Sequence, residues 1–183
     1  MYNPIENEYY NEYIELYNPT NQSINLSGWT IKDNLHKDTI EPDFKHGNGS
    51  IIIPAYNYAI LTDHGSKIYE NYNVSNNSIR LFVDDSSIGN GLGNSGDKLI
   101  LKNKENQTMD YIEWIKDYSD ISGEPIKEVN EGYTLSKINQ LKTNNSKLDF
   151  CEGYKTPGYN NKIIERGKTK IFIENDEFMI SKD

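Results

Sequence analysis

A chain of 183 residues with a formal net charge of −9 is sized for one domain that buries roughly 70% of its unfolded surface. The acidic balance argues against non-specific nucleic-acid binding, which depends on neutralising phosphates. Its single cysteine, Cys151, excludes an internal disulfide and a cysteine-rich zinc site, and the sequence has no apolar run long enough for a transmembrane helix.

From the N-terminus, Ile14 and Leu16 share one face while Tyr13, Glu15 and Tyr17 share the other, the period-2 pattern of a half-buried strand. Asn18-Pro19-Thr20-Asn21 supplies turn chemistry. Ile24 and Leu26, then Trp29 and Ile31, are offset by an odd spacing across Ser27-Gly28, which predicts a bulge or bend there. His36, Asp38, Glu41, Asp43 and His46 read as one polar loop. Ile51-Ile52-Ile53 and Tyr58-Ala59-Ile60-Leu61 read as strands around a Pro54–Asn57 turn. A short helix is expected between Gly65 and Tyr72, with Ile68 and Tyr72 on one side.

Ile79 to Val83 reads as a strand running into Asp84-Asp85-Ser86-Ser87. Lys98 to Lys102 and Thr108 to Ile115 form a hairpin across Asn103–Gln107, and Gly132 to Ser136 a shorter late strand. Residues 116–130 and 138–147 are polar and read as loops. Beyond Asn161 the chain becomes more charged, and Lys170–Ile173 and Phe178–Ile180 flank Glu174–Glu177 as a hairpin. That hairpin is expected to pack on the main domain or on a second copy.

Many short strands, frequent Gly/Asn/Pro turns and little helical period point to an all-β sandwich or barrel. Ile and Tyr, both strand formers, are plentiful, whereas Ala is scarce. Trp29, Trp114, Ile14, Leu16, Leu99 and Leu101 are expected in the core. Residues 1–161 form the sandwich on this reading, and 162–183 a charged linker with the C-terminal hairpin.

Each candidate for chemistry has a plainer reading beside it. His36 and His46, near several acids, suggest a metal cluster, but no His-x-His or His-Glu-x-x-His spacing supports one, and solvated loop residues are the better account; His64 stands apart. Asp84, Asp85 and Asp97 are possible calcium ligands, yet they lack the alternation of an EF-hand loop, and Asx turns explain them. Gly89-Asn90-Gly91-Leu92-Gly93-Asn94 superficially suggests a phosphate cradle, but a strand follows it where a P-loop needs Lys-Ser/Thr and a helix. Its glycines suit turns with positive φ.

No Gly-x-Ser-x-Gly elbow is present, and nothing selects a carboxylate pair. Cys151, beside Phe150, reads as a small buried hydrophobe. Tyr9, Tyr10, Tyr13, Tyr56, Tyr58, Tyr69 and Tyr72 would suit an aromatic platform for sugar rings or a peptide, with cross-strand packing as the plainer account. Seven Asn-x-Ser/Thr triplets, beginning with Asn21 and Asn25, count as glycosylation acceptors only in a secreted parent.

Taken in order along the chain, several phrases resemble a lamin tail domain. Glu12 to Asn18 and Leu26-Ser27-Gly28-Trp29 resemble the family's opening strands. Ile53-Pro54-Ala55 with Tyr58-Ala59-Ile60-Leu61 resembles the turn and strand that follow. Gly93-Asn94-Ser95-Gly96-Asp97 is similar to its glycine-rich turn, and Asp110-Tyr111-Ile112-Glu113-Trp114 to the strand paired with it. Gly132-Tyr133-Thr134-Leu135-Ser136-Lys137 and Thr156-Pro157-Gly158-Tyr159-Asn160 resemble its two closing signatures. Lys137 stands where the family would have Arg. The family's first edge strand would precede Tyr2, so the chain reads as a piece of a longer protein, with no secretory leader at Met1.

The resemblance implies an immunoglobulin-like β-sandwich and a non-catalytic binding module, with no catalytic residue, cofactor or metal site to carry over. It also implies a prokaryotic member whose parent is extracellular or envelope-associated. The expected partner is a protein or glycan, with a homodimer through a sheet edge or the C-terminal tail as a further expectation. The rival readings are an accessory domain of a nuclease or hydrolase, and a structural spacer.

Overall fold

The computed structural model describes residues 1–115, 125–138 and 145–164, and the backbone of 169–174 and 177–182. In chain order the elements are α1 (Glu8–Asn11), β1 (Ile14–Tyr17), β2 (Ile24–Asn25), β3 (Thr30–Lys32), β4 (Lys37–Pro42), β5 (Ile52–Ile53), β6 (Tyr58–Thr62) and α2 (Ile68–Asn71). After them come β7 (Ile79–Val83), β8 (Gly96–Lys102), β9 (Thr108–Ile115), β10 (Ile126–Lys127), β11 (Thr134–Lys137), α3 (Ser146–Asp149), β12 (Phe150–Tyr154), β13 (Lys162–Ile163), β14 (Thr169–Glu174) and β15 (Glu177–Lys182).

The main sheet runs β1-β6-β7-β4-β3-β8-β9-β10. Strand β4 holds it together: Lys37–Thr39 pair with β3 and Ile40–Pro42 with β7. The sheet turns a corner there, and its two wings close on one core. Ile40, Leu61, Leu81 and Val83 from one wing meet Ile31, Leu99 and Trp114 from the other in a single buried cluster. Burial of this apolar surface is the main stabilising term. Leu26 and Ile53 join the same cluster from beside the short β2–β5 pair. Strands β11, β12 and β13 form a second, three-stranded sheet. The fold is an all-β, immunoglobulin-like sandwich.

Trp114 and Leu99 are buried, while Ile14, Leu16, Trp29 and Leu101 are partly buried against the same cluster. Trp114 stacks on Tyr2 with ring centroids 4.7 Å apart, and its indole N–H donates to Gly93 O at 2.8 Å. A second cluster lies on the outer side of β6, where α2 packs Ile68 against Ile60 and Tyr13. Helix α2 sits within the expected Gly65–Tyr72 segment and buries the expected face.

The turns follow their residues. Asn18 is 1% exposed, and its amide nitrogen donates to the carbonyls of Gln22, Ile53 and Pro54. Its Oδ1 accepts from the Thr20 N–H and hydroxyl. One side chain thus ties the turn after β1 to the turn between β5 and β6. At Gly28 the N–H of Trp29 reaches Leu26 O at 2.9 Å, and Gly28 has φ +75°, which favours glycine. The predicted bend is therefore a full turn, separating β2 from β3 and sending them to different sheets.

Several segments depart from the sequence reading, among them helix α3, which begins inside the expected loop at 138–147, and β13, which pairs with β12 where a linker was expected. The expected loop at 36–46 contains β4, a central strand. Its inward positions are Asp38 and Ile40, so half of the buried face is polar and the alternation is masked. Within the expected loop at 116–130, β10 pairs parallel with β9, although residues 116–124 lie outside the described ones. Strand β12, rich in polar and small residues, was not expected; it pairs with β11 and β13. The tail forms the expected hairpin, β14 antiparallel to β15, and its expected packing concerns side chains outside those described.

Candidate functional site

The glycine-rich loop before β8 is the first place where function would be sought. Its amides are already engaged, and by carboxylates. Gly89 N–H donates to Asp38 at 2.5 Å, Asn90 N–H to Asp33 at 2.8 Å, Leu92 N–H to Glu12 at 3.3 Å and Gly93 N–H to Asp97 at 3.1 Å. A phosphate would have to displace these acids, so the cradle is filled from within. The carboxylates hold the loop as caps hold a helix end.

The environments of these acids differ. Burial pushes Glu12 up to about 8, against the Leu92 N–H and with the charge of Glu8 adding to the rise. Burial also raises Asp38 despite its Gly89 N–H, and the charges of Asp84, Asp85 and Asp33 add to it. Asp33 is desolvated too, but the N–H groups of His36, Asn90 and Leu35 outweigh that and lower it.

The proposed calcium ligands are similarly occupied. Asp84 accepts from Thr39 N–H and Asp85 from Ser86 N–H, each at 2.6 Å. Asp97 accepts from Lys98 N–H as well as Gly93 N–H. Among the described residues no group of three His, Cys, Asp or Glu is arranged to hold a metal ion.

Strand β4 separates two of the histidines. His36 is exposed beside the β3–β4 turn. His46 pairs through Nδ1 with the buried Asp43 carboxylate at 2.8 Å and stacks on Tyr69, ring centroids 4.6 Å apart. His64 is exposed and lies over Phe82. The His46–Asp43 pair resembles half of a catalytic triad, but Asp43 also accepts from the N–H groups of Lys45 and His46 and so closes its own turn. Cys151 is half-buried, and burial raises its thiol away from the reactive range.

The seven tyrosines do not make one platform. Tyr13 is in the second core cluster, with Tyr69 and Tyr72 packed against it, and Tyr9 meets Tyr10 edge-on beside α1. The aromatic surface lies instead at the free end of β1. That strand is terminal in the sheet, and the register places Tyr17 opposite Tyr58 on β6. Their rings lie 4.7 Å apart, tilted by 34°. The Tyr58 hydroxyl donates to Asn160 Oδ1 at 2.7 Å.

Asn160 is delivered by the loop 156–160, which crosses the outer face of β1 and takes the Glu15 carboxylate onto its Gly158 N–H at 2.6 Å. Burial pushes Glu15 up to about 7 against that bond. Tyr56 stands nearby on the turn that meets Thr20 O and is 61% exposed; Tyr17 is 36% exposed. Tyr17 and Asn160 were not among the sequence candidates. The outward position of Tyr17 was visible in the β1 alternation, whereas nothing local ties Asn160 to Tyr58 across 102 positions.

A family model for the lamin tail domain matches residues 1–116. The chain belongs to the lamin tail domain family. No curated protein and no solved structure matches it. The match covers both wings of the main sheet through β9, while β10 to β13 and the loop bearing Asn160 lie beyond it. Lamin tail domains are a non-enzymatic, immunoglobulin-like family, in keeping with carboxylates that serve loops. No helix among the described residues is long and apolar enough to cross a membrane.

Proposed function

We propose that this lamin tail domain is a non-catalytic docking module, holding a parent protein at the cell envelope or on a protein or glycan partner. The observation that carries this reading is the corner at the sheet edge where exposed Tyr17 and Asn160 meet half-buried Tyr58. Aromatic anchors with polar neighbours are the usual currency of recognition surfaces. Glu12, Glu15, Asp33, Asp38 and Asp63 each accept a backbone N–H, so these acids serve the loops that frame the sheet. The parent would then be extracellular or envelope-associated and of prokaryotic type.

Co-sedimentation with prokaryotic envelope preparations tests the reading. The chain is expected in the pellet and the Tyr17→Ala variant in the supernatant; a wild-type chain that stays in the supernatant would refute envelope docking. The terminal position of β1 favours a second reading, self-association through strand pairing. Light scattering over an approximately tenfold concentration range would show a rising mass if it holds.

A further inference from the structure

We propose that the corner of Tyr17, Tyr58 and Asn160 is a carbohydrate subsite for a neutral, β-linked pyranose chain. The inference rests on the docking reading and names its ligand class. Three features favour a sugar. The Tyr17 ring packs at a tilt against Tyr58, and at 36% exposure on the terminal strand it keeps ring surface open to a ligand. A phenol face attracts the axial C–H groups of a pyranose, because the ring's negative quadrupole meets their partial positive charge. β-1,4-Linked chains present such flat C–H faces repeatedly, whereas bent α-1,6-linked chains do not.

The second feature is the amide. Tyr58 fixes Asn160 by donating to its Oδ1, while the Asn160 NH2 has no hydrogen bond among the described residues. Two donors are thereby held at the rim of the aromatic face, as sugar hydroxyls require. The third feature is neutrality. Among the described residues no ion pair or cation–π contact involves Tyr17, Tyr58 or Asn160, in a chain that is 26% charged. The carboxylate beneath the corner, Glu15, accepts the Gly158 N–H and is raised by burial to about 7. Among the described residues no cation contacts these three, so an anionic ligand gains no ion pair from them. An extended peptide would instead pair with the backbone edge of β1 and would not need Asn160.

Native affinity electrophoresis of the full chain, through gels containing hydroxyethylcellulose, glycol chitin or dextran, tests the proposal. Migration should be slowed by one or both β-1,4-linked polymers and not by α-1,6-linked dextran. Tyr17→Ala and Asn160→Ala should each weaken retardation on the order of tenfold, the scale of one lost stacking or hydrogen-bonding contact. Tyr17→Ala removes the cross-strand ring contact with Tyr58 and Asn160→Ala the bond from the Tyr58 hydroxyl, each about 1 kcal/mol. Both variants should therefore stay folded with a urea midpoint lowered by no more than about 1 M, and Tyr17→Phe should keep binding. Unchanged mobility in both β-linked gels, or variants slowed like the wild type, would overturn the glycan assignment. If envelopes still retain the chain in a Tyr17-dependent way, the corner docks a protein and the docking reading stands. If envelopes do not retain it either, both readings fail.

Discussion

Replacing Asn18 by alanine tests the local logic of the fold. The side chain is 1% exposed; its amide nitrogen faces three carbonyls and its oxygen two Thr20 donors. Alanine leaves Ile53 O buried without that donor, at about 1–3 kcal/mol, and removes the bond to Thr20 N–H, at about 1 kcal/mol more. The Gln22 and Pro54 carbonyls are only partly buried, so water can replace the donor there at little cost. The sum is about 2–4 kcal/mol, a large share of a domain's usual 5–15 kcal/mol. At a urea m-value of about 2 kcal/mol/M this moves the midpoint down by about 1–2 M with the slope unchanged. Asn18→Asp sharpens the test, because it places an acceptor against three carbonyls. It should be at least as damaging as alanine at pH 7 and should recover in acid, where the protonated carboxyl donates again. An alanine variant within about 0.5 kcal/mol of wild type, or an aspartate variant matching it at pH 7, would refute the reasoning.

Burial raises Glu12 and Glu15 from the ordinary glutamate value of 4.5 to about 8 and about 7, so the folded state holds protons that the unfolded chain releases. Stability should therefore fall as pH rises from about 4.5 through 7 and 8, and Glu12→Gln should flatten the loss between pH 5 and 6, read from urea midpoints; a wild-type midpoint that rises over that interval contradicts the assignment. Gly89 has φ +61° and an added Cβ would run into the Asp33 carboxylate, whereas Gly91, at φ +95°, has open space. In chemical denaturation Gly89→Ala should thus cost clearly more than the roughly 1 kcal/mol of backbone strain expected for Gly91→Ala, and equal losses would remove the role given to Asp33. Because Asp84, Asp85 and Asp97 already accept backbone N–H groups, the melting temperature should be the same in calcium and in chelator. A rise with calcium would restore that site.

The sequence alone determined the elements whose signals are local. Ile14 and Leu16 alternate with polar neighbours, Ile79 to Val83 is apolar and β-forming at every position but Arg80, and the β8–β9 hairpin spans a loop of turn-forming residues; each is readable because the pleat and the turn act within a few residues. Gly28 marked a bend, and the ordered phrases from Glu12 to Trp114, which lie within the matched residues 1–116, marked the family. Strand β4 was not legible, since Asp38 is a tolerable inward residue only once Gly89 N–H, 51 positions away, satisfies it. The same holds for β10, whose two residues become a strand by pairing parallel to β9. Whether the glycine-rich loop binds a phosphate or is held by its own acids depended on where Glu12, Asp33, Asp38 and Asp97 met it. The aromatic corner was likewise decided by tertiary structure, through the β1–β6 register and the return of the chain at Asn160. A hydrogen bond or ring contact between distant positions leaves no period in the chain, so only the folded arrangement reveals it.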